Sequence, residues 1–418
     1  MKILWQLQLS CTTPDGKFVM TADSNWQVFI TKATEMIKLN QSLHFDVIVP
    51  KKNQCTEDID ELVHDAGITQ NISLIRIPII ANAAATRFDF PYALVQEKLK
   101  NTLKKYTHVY INDPLQLSHY RALFHLNREK PKFILQTHFL DSPVARVVDP
   151  ELSYWYGTVD ACRKSDMFLW HSDSMQEIFR DALYKEFRPE IVHNIMMKSG
   201  VWKSGYSINE IRRPVNEKNI RFDVSQFACK TLVWVPNRVG GLGKSFDYTN
   251  NGKFLFDIVP KLWHKRKDFV IVAGNPSQKI SNDEIAALCP AYVKLVDGPL
   301  NRDEYRWLST RSNIVVGLYT NDTNGGLASL ESIEFNAVPL FPDVYEYKKY
   351  FDAVDWPDHM RVKPDLSDII DVSYRIIDAC WERQTQQRVI RMAEYIRQYA
   401  SYEHITASMM QKLGFVNE

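Results

Sequence analysis

The strongest constraint on this chain is an alternation: short, β-branched apolar runs recur, each separated from the next by a segment long enough for a helix. A first series occupies residues 2–9, 45–49, 72–77, 108–111, 133–136 and 167–170; between its first two runs Trp26, Ile30, Ala33 and Ile37 recur at helical spacing. Parallel strands need long crossovers, usually helical, so this pattern predicts a doubly wound parallel sheet. A second series begins at TLVWVP (231–236) and continues through DFVIVAG (268–274), YVKLVDG (292–298), SNIVVGLYT (312–320) and AVPLFP (337–342). It predicts the same architecture again. The expected fold is therefore α/β, with two Rossmann-like doubly wound parallel-sheet domains facing an interdomain cleft, outside the carboxyl ends of the strands where such sheets hold ligands.

Between the two series, residues 198–223 carry Gly200, Gly205, Pro214 and several charges without sustained periodicity, and read as a linker region. The expected organisation is an N-terminal domain over 1–205, a C-terminal domain over 206–395, and a helical segment over 396–418 that packs back on the N-terminal domain. A chain of 418 residues exceeds one ordinary core, which agrees with two domains. The six cysteines show no C-x-x-C pair, so neither a zinc knuckle nor a disulfide framework is expected, and a reducing, cytoplasmic setting fits. MKILWQLQLS reads as a first strand rather than a secretory signal, and no apolar run approaches the ~20 residues of a membrane span. A net charge of +1 gives no global attraction to nucleic acid or anionic lipid; such a partner would have to meet local basic patches.

Chemistry concentrates in two segments of the second series. In TLVWVPNRVGGLGK a strand runs into a glycine-rich loop bearing Arg238 and Lys244. A diphosphate leaving group needs this combination: cations neutralise the charge on the departing phosphate, and glycines let the backbone come close. A solvated turn with surface charges is the alternative. In TNGGLASLESIEFNAVPLFP, Asn324, Gly325 and Gly326 open a helix whose N–H groups favour a phosphate, and Glu331 follows. A carboxylate offers two acceptors to the paired hydroxyls of a ribose. Glu334 reads instead as an ordinary surface helix residue.

These segments, "PNR...GK" followed by "GGLASLE....VP", resemble the donor site of the GT-B glycosyltransferases of retaining type. The resemblance implies that Arg238 and Lys244 grip the donor phosphates, that Glu331 holds the nucleotide ribose, that the donor is a UDP-sugar, and that no metal or other cofactor is required. The chain lacks the acidic residue and Phe-Gly that commonly precede this helix. In the first series, FILQTHFLDSP places His138 and Asp141, and CRKSDMFLWHSD places His171, beyond the carboxyl ends of strands; the resemblance makes these the catalytic candidates. "QTHFLDS", "KSDMFLWHSD", "HVYINDP" and "IVHN" further resemble the α-glucosyltransferases with which T-even bacteriophages modify hydroxymethylcytosine in DNA. That closer resemblance implies a hexosyl- or pentosyltransferase acting on a 5-hydroxymethylpyrimidine in double-stranded DNA, within the host cytoplasm. A glycan, lipid or small-molecule acceptor remains the alternative, and a non-catalytic nucleotide-binding protein a second.

For a DNA acceptor, two basic runs offer phosphate contacts: 98–105 with Arg121, Arg128, Lys130 and Lys132, and 261–267 with His264; each also reads as a solvated helix face. Asp58 and Asp60 form a D-x-D read as solvated helix charges. Tyr154, Trp155 and Tyr156 read as packing, with stacking on a sugar or an extruded base as the alternative.

Overall fold

The computed structural model describes residues 1–9, 16–20, 23–79, 90–125, 127–136, 153–203, 205–228, 230–238, 250–275, 282–295, 300–320 and 327–415. The chain forms two compact units: Met1–Gly205 with Tyr402–Glu418, and Tyr206–Ser401.

In the first unit the apolar runs become β1 (Lys2–Gln6), β2 (His44–Pro50), β3 (Ile72–Ile77), β4 (His108–Ile111), β5 (Lys132–Gln136) and β6 (Met167–Trp170), joined by β7 (Ser199–Val201). Their order is β3-β2-β1-β4-β5-β6-β7, all parallel. β4 is buried along its whole length, as expected of a strand covered on both faces. The indole of Trp5 stacks on Tyr110 at 3.9 Å and meets Phe29 edge-on at 5.0 Å, which ties β1 and β4 to the helix Ser24–Leu39. That helix starts because the Asp23 carboxylate accepts from the N–H groups of Asn25 and Trp26. The helix Tyr402–Leu413 belongs to this unit; beyond it the Phe415 carbonyl accepts from Asn40 at 2.7 Å.

Strand β7 corrects the sequence reading, which placed residues 198–201 in a linker. Ser-Gly-Val is too short and too weakly apolar to show a period of its own. It becomes a strand because β6 offers an unpaired edge.

The second unit holds β8 (Thr231–Arg238), β9 (Phe269–Asn275), β10 (Ile314–Val316) and β11 (Val338–Leu340), in the parallel order β11-β10-β8-β9. The strand expected over 292–298 is reduced, among the described residues, to a bridge at Tyr292, flanked by bonds of Ile271 to Ala291 and Val293. Gly274 lets β9 lie directly under Trp234: a Cβ there would come within 2.3 Å of the indole. The stretch read as unpatterned linker is pinned by side chains, since Arg221 donates to both oxygens of Glu304 at 2.8 and 2.7 Å. Glu304 in turn closes a capping box with Asn301 at the start of the helix Arg302–Arg311. Among the described residues no helix is long and apolar enough to cross a membrane.

Both sheets reverse their winding internally, the first between β1 and β4, the second between β8 and β10. The carboxyl ends of those strands are where a doubly wound sheet opens a crevice.

Candidate functional site

In the second unit the crevice edge is defined by the end of β8, the end of β10 and the helix Leu327–Ile333. Arg238 closes β8, opposite Asn275 of β9 and past a register shift after Val235. Its side chain lies outside the described residues, as do Lys244, Asn324, Gly325 and Gly326. After the glycine-rich sequence the described chain resumes at Asn250 and Asn251, which fasten it to the end of β10. Asn251 is fully buried and its Oδ1 accepts from the Leu318 N–H at 3.0 Å; the Asn250 amide donates to Thr320 Oγ1 at 3.0 Å. The sequence reading passed over these two asparagines, although a paired Asn at a helix start is a visible signal.

Glu331 is partly buried on the helix that follows β10. Its carboxyl pKa is pushed up to about 7 by desolvation, against the opposing pull of Arg302, a hydrogen bond from Tyr305, and Arg306. Both arginines are already committed. Arg302 pairs with Glu210 at 2.6 Å, and Arg306 pairs with the same carboxylate, which also takes Arg213 at 3.1 Å. Among the described residues no cation forms an ion pair with Glu331. The Tyr305 ring lies edge-on to Trp234, 5.8 Å between centroids, so the residue flanking Glu331 is set by the core.

Glu334 corrects the expectation of a surface residue. Its side chain is fully buried and takes Arg212 at 2.5 Å, Arg397 at 2.8 Å and the Tyr206 hydroxyl at 3.2 Å. It is an anchor, binding the helix region after β10 to the linker and to the helix Arg383–Ala400. The two acids three positions apart therefore differ in kind: one is neutralised twice, the other is held in a desolvated place without an ion-pair partner among the described residues. Tyr305, Arg302, Arg306 and Glu210, which create this contrast, carried no motif in the sequence.

In the first unit the corresponding edge is polar and buried. Gln136 ends β5, and its side chain joins Lys32, Tyr110, the Trp202 carbonyl and His171. His171 follows β6, is buried, and has Nδ1 3.4 Å from Gln136 Nε2. Ser172 then caps the helix Asp173–Glu186, and Asp173 pairs with Lys203 at 2.8 Å. Asn112, after β4, accepts from the Trp5 indole at 2.8 Å and takes Gln6 Oε1 on its own N–H at 3.2 Å. His138 and Asp141 lie outside the described residues, just past the end of β5.

Other sequence candidates fall elsewhere. The basic residues 98–105, Arg121, Arg128, Lys130 and Lys132 gather near the amino ends of β4 and β5, and 261–267 near the amino end of β9. Both runs thus sit at the edge of their sheet opposite the crevice, so neither flanks it. Asp58 caps the helix Ile59–Asp65 and pairs with Lys52, while Asp60 pairs with Arg76 at 2.7 Å. Trp155 is buried with its indole N–H on Glu186, whereas Tyr156 is exposed; the Tyr154 side chain lies outside the described residues.

The fold is that of the GT-B class, two parallel α/β units in one chain. Among solved structures, the chain is similar to Anabaena HepE in complex with UDP and glucose, at 12% identity over 100% of both chains with a TM-score of 0.65. It is also similar to sucrose-phosphate synthase from Thermosynechococcus elongatus (12% identity, 99% and 98% of the two chains, TM-score 0.60). An alpha-glucosyltransferase in complex with UDP matches at 10% identity over 99% of each chain, TM-score 0.52. No protein-family model and no curated protein sequence matches the chain.

Proposed function

We propose that the protein is a glycosyltransferase that moves a hexosyl or pentosyl group from a UDP-sugar to a hydroxyl acceptor with retention of configuration. The observation that carries the reading is Glu331: a desolvated carboxylate without an ion pair among the described residues, beside Tyr305, at the carboxyl edge of the second sheet. A neutral diol suits such a site better than a cation, because it satisfies both oxygens without a second charge to bury. Two of the similar proteins are seen with UDP, UDP-glucose or glucose and a third is a sucrose-phosphate synthase, which supports a sugar nucleotide as the ligand.

On this reading Glu331 takes the ribose hydroxyls, Arg238 and Lys244 the diphosphate, and the backbone of Asn324, Gly325 and Gly326 the phosphate–sugar junction. The bond from the anomeric carbon to the diphosphate breaks, and the acceptor oxygen bonds to that carbon on the same face. The acceptor proton passes to the departing phosphate oxygen, so the products are UDP and the glycoside. His138, Asp141 and His171 orient sugar and acceptor. Cationic side chains and backbone N–H groups stabilise the leaving group, so no cofactor is required and chelators should leave the rate unchanged. The first unit serves the acceptor, the second the donor, and the protein works in the cytoplasm.

The acceptor we propose is a 5-hydroxymethylpyrimidine in double-stranded DNA, on the strength of the four N-terminal motifs and the likeness to an alpha-glucosyltransferase. The test is to incubate the protein with a panel of sugar nucleotides and plain DNA, hydroxymethylated DNA, or glycans, reading free UDP and nucleoside mass. A mass gain of one sugar on the modified nucleoside is expected. Transfer to glycans alone would replace the acceptor; no turnover of any sugar nucleotide would leave a nucleotide-binding protein.

A further inference from the structure

We propose that Lys32, acting through Gln136, fixes His171 as the Nε2–H tautomer, so that its imidazole serves the site as a hydrogen-bond donor and not as a base. The orientation of the Gln136 amide is the crux, because its oxygen and nitrogen differ only in what they bond. Three partners decide it together. Lys32 Nζ lies 2.7 Å from one end, and the Tyr110 hydroxyl bonds to that same end, so both present protons to an amide oxygen placed there. At the other end, 3.0 Å away, stands the carbonyl of Trp202, which only accepts. That end is therefore the amide nitrogen.

The amide nitrogen carries two protons and no accessible lone pair. One proton goes to Trp202; the other faces His171 Nδ1 at 3.4 Å. This is long for a strong bond, yet too close for two N–H groups to oppose each other inside a buried site. Nδ1 must present its lone pair, and the ring proton resides on Nε2. Lys32 is held for this task at evident cost: it is fully buried, packed over the Trp202 ring at 4.2 Å, and makes no ion pair among the described residues. Burial pushes its amine well below the ordinary lysine value.

Lys32 is thus a positioning residue, two side chains from the ring it controls. The proposal rests on the transferase reading only in placing His171 at the working site; the coupling itself is tested without turnover. Protein labelled with 15N-histidine is examined by long-range 1H–15N NMR at neutral pH, with the His171 signal assigned by its loss in His171→Asn. The wild type should show a neutral ring with the proton on Nε2. Gln136→Glu replaces the donor facing Nδ1 with an oxygen that accepts, next to Lys32 as counter-ion, and should move the proton to Nδ1 or charge the ring. Lys32→Met should give both tautomers. A wild-type ring protonated at Nδ1, or a His171 signal unchanged in folded Gln136→Glu, overturns the proposal. If the tautomer follows Gln136 while His171→Asn transfers sugar at the wild-type rate, the coupling stands and the role given to His171 in transfer fails.

Discussion

Replacing Glu331 by glutamine should weaken donor binding above neutral pH and remove its pH dependence. A carboxylate accepting from two ribose hydroxyls makes charge-assisted bonds worth about 1.5–3 kcal/mol each. Glutamine keeps one acceptor and turns the other into a donor, so the loss is about one such bond, or roughly 10- to 100-fold in Kd at pH 8. The pKa of about 7 sets the window. The ionised form is the better acceptor, so wild-type affinity should be flat above pH 7 and fall toward about tenfold per unit below it. The variant has no proton to take up there and should show a flat line that the wild type approaches at pH 5.5. The assay is calorimetric titration with UDP-glucose, whose diphosphate does not titrate in this range, across pH 5.5–8.5. Equal affinity of the two proteins at pH 8, or the same slope in both, would refute the ribose assignment.

The same acid should act on stability in the opposite sense. Its folded pKa lies above the unfolded value of 4.5, so its contribution is fully present below pH 4.5 and is lost as pH rises through 7, by at most about 3 kcal/mol; Glu331→Gln should therefore raise Tm at pH 8 and do little at pH 5, by scanning calorimetry. Removing Glu334 leaves Arg212 and Arg397 without their shared carboxylate; with Arg212 half exposed, Glu334→Ala should cost about 2 kcal/mol in denaturant unfolding, less than a fully buried pair. A Cβ on Gly317 would sit 2.8 Å from Ser329 Oγ and 2.9 Å from the Tyr347 hydroxyl, so Gly317→Ala should destabilise by about 1–3 kcal/mol and raise the donor KM by shifting the helix that bears Glu331. Asn251→Ala orphans the buried Leu318 N–H, an expected loss of about 1–3 kcal/mol; an unchanged unfolding midpoint would remove the clasp assigned to it.

Periodicity revealed the strands that are long and apolar, because their burial on both faces is written in their own residues. It missed β7 and, among the described residues, overstated the run after Tyr292, where pairing with a neighbour decides the outcome. The place of Glu331 on a helix between two strands was legible because that helix and the strands on either side of it are local in sequence. The difference between Glu331 and Glu334 was not, since Arg212, Arg397, Arg302 and Tyr305 come from distant parts of the chain. The Gln136 network escaped for the same reason: its members arrive from a helix, two strands and the residues just after β6 and β7.

That distribution bears on where function lies. Buried carboxylates that carry their own arginines, such as Glu334 with Arg212 and Arg397 or Glu304 with Arg221, are complete within the fold and explain themselves as anchors. Lys32 in the first unit and Glu331 in the second are different: each is desolvated, each has its pKa moved toward the neutral form, and neither has an opposite charge in contact among the described residues. Each also stands at the carboxyl edge of its sheet. An apolar residue at either place would serve packing better, so a fold that keeps them there gives up stability at the two edges where a ligand is expected. Substituting both, Lys32→Met with Glu331→Gln, should give a protein more stable than the wild type at pH 8 and poorer in transfer; a double variant of lower stability would show that these groups hold the fold together instead.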